Sequence, residues 1–389
     1  MKKTLKRCLT FAMAGVMTLS MLSLASGCEE ETIILKNVTQ AKNVILMIGD
    51  GMGPEQIKAG ELLKDGKLTL QKFPYMTMVE TRCVDNLVTD SAAAATALAT
   101  GVRTLKGLVG KNENYQELET IVDIAHKMGK RTGILATEEL SGATPMGFSG
   151  HADDRNLKEN LLQSAAASSN VDLFVSYMID LKYHTLFTDA GYEKITMVEQ
   201  ISDSTADKVF GSYEIDATFD SMYAEGGAAS FDRIVTEALE YLSKDEDGFF
   251  LMAEGSHIDH GGHNNDFPYM LRELMAFDDA VNAVLKWAKD RDDTVVIVTA
   301  DHETGGLEVY DEATHDDILR IYEKNRNWYG LEEYFEWNTT GHTSTDVYLY
   351  INGADVDFAK YSFGYKDRVK NTDVFQIMKD LMEGKNTVA

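Results

Sequence analysis

The chain has 389 residues, 44% apolar and 26% charged, with only four prolines and a formal net charge of −26. That composition excludes a collagenous, linker-rich or disordered polymer and supplies core material for a large globular domain. So acidic a surface repels phosphate backbones and anionic lipid, which excludes nucleic acid and membrane surfaces as generic partners.

Residues 1–28 read as an export signal: Lys2, Lys3, Lys6 and Arg7 precede an apolar run from Leu9 to Ala25. Ala25, Ser26 and Gly27 then lead into Cys28, which resembles the lipobox of bacterial lipoproteins, with Leu24 one place further back than usual. The expectation is an exported cell-surface lipoprotein anchored at Cys28 by two acyl chains; a plain cleaved signal, giving a secreted or periplasmic protein, is the alternative. Loss of residues 1–27 removes four positive charges and no negative ones, taking the mature chain from −26 to −30. Cys83 is then the one cysteine left with a free thiol. It reads as a small buried side chain rather than as part of a disulfide framework. Residues 29–42 read as a polar tether, and residues 43–389 as the catalytic domain.

Asn43 to Ile48 is a short apolar run ending in Gly49-Asp50-Gly51-Met52-Gly53-Pro54, a strand entering a glycine-rich turn and a helix. Similar runs at Thr132–Ala136, Val171–Val175, Phe249–Ala253 and Thr294–Thr299 alternate with helical stretches such as Leu118–Met128, Phe231–Leu242 and Met270–Lys289. This alternation predicts an α/β three-layer sandwich, a central, mostly parallel sheet flanked by helices. Ligands bind beyond the carboxyl ends of such strands. Asp50, Glu254, Asp259, Asp301 and His302 all fall there. Segments 176–229 and 303–339 carry little pattern; the second, rich in Tyr, Trp and acidic residues, reads equally as a cap or subunit contact and as a surface subdomain with a small core of its own.

The densest chemistry lies in Glu254-Gly255-Ser256-His257-Ile258-Asp259-His260-Gly261-Gly262-His263, two carboxylates and three imidazoles in ten residues. Carboxylate and imidazole together are zinc ligands, and oxygen-only positions suit magnesium. Asp301-His302 and the isolated His342 extend the set. Ser91 follows Asp90 at the head of an alanine run, where it reads either as part of a helix cap or as a nucleophile at the positive end of a helix dipole. No Gly-x-Ser-x-Gly elbow is present, so metal activation is the better reading for a serine nucleophile. Arg155 could pair with Asp153 or Asp154, or bind an anion.

Met47-Ile48-Gly49-Asp50-Gly51-Met52-Gly53, Thr89-Asp90-Ser91-Ala92-Ala93, Ala143-Thr144-Pro145 with His151 and Arg155, Glu254 with Ile258-Asp259 and His263, Ala300-Asp301-His302 and Gly341-His342-Thr343 together resemble the alkaline phosphatase family, in its order, over residues 43–351. The resemblance implies hydrolysis of small phosphate monoesters to an alcohol and inorganic phosphate through a phosphoserine at Ser91, with two zinc ions and one magnesium ion. Asp259, His263 and His342 would hold one zinc; Asp50, Asp301 and His302 the second; Asp50, Thr144 and Glu254 the magnesium. Arg155 would grip the phosphate, with His260 on the substrate side. His260 stands where some members carry Lys or Trp, and Gly142 where some carry Asp or His. A homodimer is an open alternative to a monomer.

The rival enzymes are a phosphodiesterase or a sulfatase of the same superfamily. A sulfatase would show a Cys/Ser-x-Pro-x-Arg motif, which neither Ser91 nor Cys83 has, and diesterases commonly lack the Thr144 and Glu254 pair. A non-catalytic, surface-tethered lipoprotein that binds metal or phosphate is the rival from another class.

Overall fold

The computed structural model describes residues 32–168, 170–177, 179–213, 229–324, 332–362 and 367–385. The expected signal and Cys28 lie outside them. Among the described residues no helix is long and apolar enough to cross a membrane.

The centre is a ten-stranded sheet. Its middle is formed by β1 (Asn43–Gly49), β2 (Arg131–Glu139), β3 (Phe249–Gly255) and β4 (Thr294–Thr299), side by side in the order β4, β1, β3, β2 and all parallel. The runs β1, β3 and β4 are buried on both faces, which is why they read as continuous apolar stretches rather than as alternating ones. Beyond β2 the sheet continues in parallel through Leu173–Tyr177, Val209–Tyr213 and Glu193–Ile195. On the other side Val347–Asn352 runs antiparallel to both β4 and Tyr75–Glu80, and Arg368–Lys370 closes that edge in parallel with Tyr75–Glu80. The mostly parallel sheet flanked by helices matches the predicted fold class.

The strands that the pattern did not predict have physical reasons for being faint. Glu193–Ile195 has three residues, the first two exposed, and Tyr75–Glu80 buries only Val79. Neither carries a continuous apolar run.

Four helices matter for the site: α1 (Ser91–Thr100), α2 (Ala143–Ser149), α3 (His257–His263) and α4 (Phe267–Ala288). Every residue of α1 is buried. Its alanines admit close neighbours on all sides, so the run that reads as intrinsic helix propensity is also a packing requirement.

One expectation changes and one of two open readings falls away. The stretch 29–42 is not a free tether from Ile33 onward: Leu35 N donates to Asn352 Oδ1, Asn352 Nδ2 donates to the Ile33 carbonyl, and Val38 N and Ala41 N bond to the carbonyls of Gly353 and Leu381. Leu35 is buried in the core, and one apolar anchor with its polar groups satisfied is enough to fasten a polar stretch. Within 303–339, Ile318, Ile321 and Phe335 join the main core, and Phe335 stacks on Phe267 at 4.0 Å. The described residues of this segment therefore share the main core and form no separate one. Cys83 is free and buried.

Candidate metal centre

Parallel registration levels the carboxyl ends of three strands. Ile48 of β1 lies opposite Glu254 of β3 and Thr299 of β4, so Asp50, Glu254 and Asp301 emerge together at one edge. Gly51, at φ 72°, carries the chain past Asp259: a Cβ there would lie 2.7 Å from Asp259 Cα. Only glycine permits both that backbone conformation and that approach.

Ser91 is the first residue of α1, 4% exposed, behind an Asp90 cap that accepts from Ala93 N at 3.1 Å. Its Oγ lies 3.2 Å from His302 Nε2. The same Nε2 is 3.1 Å from Asp301 Oδ2 and 3.5 Å from Asp50 Oδ1, yet neither carboxylate oxygen makes a hydrogen bond. On the far side of the ring, Nδ1 is 3.2 Å from Thr304 Oγ1, whose hydroxyl donates to Asp259 Oδ1 at 2.5 Å. That hydroxyl proton is committed, so Nδ1 carries the ring proton of neutral His302. Its Nε2 lone pair then points into the ring of oxygens.

The second group repeats the pattern. His263 Nδ1 donates to the Thr340 carbonyl at 2.6 Å, and His342 Nδ1 to the Thr89 carbonyl at 3.1 Å. The Nε2 atoms of His263 and His342 therefore face each other as lone pairs 3.1 Å apart, each also 3.3 to 3.5 Å from a carboxylate oxygen of Asp259. Two lone pairs and a carboxylate meeting at one point repel unless a cation lies among them. Asp50, Asp301 and His302 form one group able to hold an ion; Asp259, His302 and His342 form another, with His263 beside it.

A third set contains only oxygen. Glu254 and Thr144 are fully buried, and neither carboxylate oxygen of Glu254 nor Thr144 Oγ1 has a hydrogen-bond partner. Such orphaned atoms are costly and fit a hard divalent ion. Burial raises Asp50 well above the usual carboxylate range, and Asp301, Asp259 and Glu254 push it the same way. Burial raises Glu254 as well, reinforced by Glu138. His342 is held down to about 4 by burial and by His302. Burial opposes a proton on His302, but Asp301 outweighs it and lifts that imidazole. In the absence of an ion a proton takes its place.

Of the two readings of Arg155, the structure removes the pair with Asp153 or Asp154. Its nearest carboxylate is Asp90, Nη1 to Oδ2 at 3.4 Å, not Asp153 or Asp154: Asp153 pairs with Lys111 and Asp154 accepts from Asn156. Asp90 thus caps the helix of Ser91 and holds Arg155 beside it. His260 packs its ring on His257, centroids 4.8 Å apart, on the exposed side of α3. The structure thus brings together Ser91, Asp50, Asp301, His302, Asp259, His263 and His342 by direct contact. Glu254 and Thr144 sit on neighbouring elements, Arg155 is joined through Asp90, and His260 stands apart. Sequence reasoning missed Thr304 and the pairing role of Asp90; each lies within two residues of a predicted site residue, a signal that adjacency alone could have raised.

A family profile described as alkaline phosphatase matches residues 41–188 and 191–315, well over half of the chain. The chain belongs to the alkaline phosphatase family. Alkaline phosphatase 3 of Bacillus subtilis (strain 168) is 33% identical over 342 residues, 79% of this chain and 71% of its own length. The alkaline phosphatase from the Antarctic bacterium TAB5 superposes with a TM-score of 0.73 at 28% identity, covering 88% of this chain and 98% of its own. That from the psychrophile Shewanella sp. gives 0.75 at 26% identity, with 87% and 99% covered. A variant of the TAB5 enzyme, with a TM-score of 0.71 at 26% identity over 88% and 98% of the two chains, has Mg bound in its M3 site. Family membership supports a phosphatase-type hydrolase, and with the candidate groups here it supports the use of metal ions.

Proposed function

We propose that the chain hydrolyses phosphate monoesters through a phosphoserine at Ser91, with two zinc ions and one magnesium ion. The observation that carries this reading is the convergence on His302 Nε2. In a Ser-His-Asp relay the serine and the carboxylate use opposite ring nitrogens. Here Ser91, Asp301 and Asp50 all face the same one, which is the arrangement of ligands around an ion.

Asp259, His263 and His342 would hold one zinc, Asp50, Asp301 and His302 the other, and Asp50, Thr144 and Glu254 the magnesium. When bound, these ions lower the pKa of the serine hydroxyl and neutralise charge on the transferring phosphoryl group. Ser91 Oγ attacks phosphorus, the bond to the alcohol oxygen breaks, and the phosphoryl group stays on Ser91 at the positive end of α1. Water then cleaves the phosphoserine and inorganic phosphate leaves. Arg155, steadied by Asp90, presents a planar pair of donors to the phosphate oxygens. Export with lipidation of Cys28 belongs to the same proposal; acyl labelling that persists in Cys28→Ser contradicts it.

The test is metal analysis of the purified mature protein together with turnover of an aryl monoester, an aryl diester and an aryl sulfate. The monoester is expected to be fastest in a zinc- and magnesium-containing sample. Tight phosphate binding without turnover in a fully metallated sample would favour a pure binding protein instead.

A further inference from the structure

Position 142 has no side chain, yet the space in front of it is filled. A Cβ built on Gly142 would lie 1.8 Å from Glu138 Oε1 and 2.5 Å from the carboxyl carbon of Glu138. The Glu138 carboxylate, reaching out from near the end of β2, occupies the volume that a side chain at 142 would enter. Gly142 is also the residue before α2, the helix that carries Thr144.

Glu138 has no structural partner to account for it. Among the described residues no cation lies within ion-pair distance and no donor hydrogen-bonds its carboxylate, whereas its neighbour Glu139 accepts from Ser141 Oγ and Lys158 Nζ, each at 3.1 Å. Its charge instead bears on Glu254, Asp50 and Arg155. The first of these is fully buried with both oxygens unpartnered, as is the Thr144 hydroxyl. A half-buried carboxylate seated beside Gly142, its charge adding to that of two buried anions and offset by Arg155 only from beyond ion-pair distance, costs free energy unless a further cation joins them.

We propose that Glu138 is a carboxylate ligand of the magnesium-type site, standing in for the side chain missing at position 142 and completing an all-oxygen set with Asp50, Glu254 and Thr144. This rests on the three-ion reading above. Hard-oxygen coordination of this kind selects magnesium over zinc.

The test is equilibrium dialysis of Mg2+ against the full zinc-loaded protein, read by elemental analysis. Glu138→Gln keeps the shape and removes the charge; it is expected to weaken Mg2+ binding by about 10-fold or more, with zinc content unchanged. Gly142→Ala, whose methyl would displace the carboxylate, should weaken it in the same direction. Glu139→Gln should leave it as it was. Glu138→Ala combined with Gly142→Asp hangs a carboxylate in the same gap from the opposite side and should restore binding. Unchanged Mg2+ affinity in Glu138→Gln overturns the proposal and leaves the three-ion reading standing. A wild-type protein that takes up no magnesium beside its zinc overturns both. Should Glu138→Gln lose zinc as well, the double variant decides, and its failure to regain Mg2+ counts against Glu138.

Discussion

The two sides of the centre solve different problems. On the outer side Asp259, His263 and His342 have side chains 10%, 40% and 12% exposed, and backbone carbonyls aim both imidazoles. On the inner side Asp50, Glu254, Asp301 and Thr144 are buried; the amides of Gly51 and His302 donate to Asp301 Oδ1, but Asp50 Oδ1, Asp301 Oδ2, both Glu254 oxygens and Thr144 Oγ1 have no hydrogen-bond partner. Nitrogen ligands can be oriented in advance by hydrogen bonds on their far side, because an imidazole has two distinct ends. Asp301 is aimed by two backbone amides, but the free oxygens of Asp50 and Glu254 have no such device, and burial without a cation leaves those two groups either repelling or protonated. The outer side is prebuilt; the inner side is completed by what binds there, so its folding and its ion binding are coupled.

The strongest way to break that comparison is chelation. Exhaustive metal removal should abolish turnover and lower thermal stability, since an ion at about 1,000 times its Kd contributes about 4 kcal/mol. Turnover that survives, or an unchanged melting curve, contradicts the account. Next in size, Ser91→Ala should cut monoester turnover by about 10^3-fold or more while ion content and melting stay as in the wild type. Phosphate trapped covalently on a different residue after acid quenching would refute the assignment.

Smaller effects sharpen the contrast between the sides. Glu254→Gln removes one of several mutually repelling buried charges, so it should stabilise the metal-free protein and destabilise the loaded one. His263→Ala, on the exposed side, should shift metal-free stability by only about 0.5 kcal/mol. Equal signs in the two states for Glu254→Gln would show that the inner cluster is not held apart by charge. Acidity gives the smallest and most graded test. Asp50 and Glu254 have raised pKa values in the folded protein, so their stabilising contribution is full below the unfolded carboxylate range and is lost as pH rises. Glu273 adds a component of the same sign: burial lifts it to about 8, so that loss runs from about pH 4.5 to pH 8. The metal-free protein should therefore melt lower at pH 8 than these groups allow at pH 5, and Glu273→Gln should flatten the slope. Ion binding should run the opposite way, weakening as pH falls and protons compete for the ligands.

Much of this was legible in the residues because β1, β3 and β4 are buried along their whole length and β2 from Thr132 to Thr137. Continuous apolar runs mark such strands, and the acidic residues at their ends fall on one edge once the strands are parallel. The edge strands were not legible: Glu193–Ile195 and Tyr75–Glu80 are short or half exposed, and only pairing defines them. The ligand types were visible as local clusters, but the partners that aim them were not. Thr304 stands two residues from His302, but its bond to Asp259 joins segments far apart in sequence, as does the pairing of its strand, Glu303–Thr304, with His342–Thr343. The partner of Arg155 was hidden for the same reason, since Asp153 and Asp154 are near it in the chain and Asp90 is near it in space. Glu138 carried no signal until the empty side of Gly142 was seen to be filled.

Anomalous diffraction at the zinc edge from crystals of the native protein tests the convergence of these ligands most directly. Two zinc peaks are predicted, one against Nε2 of His302 with the Ser91 hydroxyl beside it, the other between His263 and His342. Crystals of active protein with no zinc at either place, or with Ser91 turned away from the nearer peak, would contradict it.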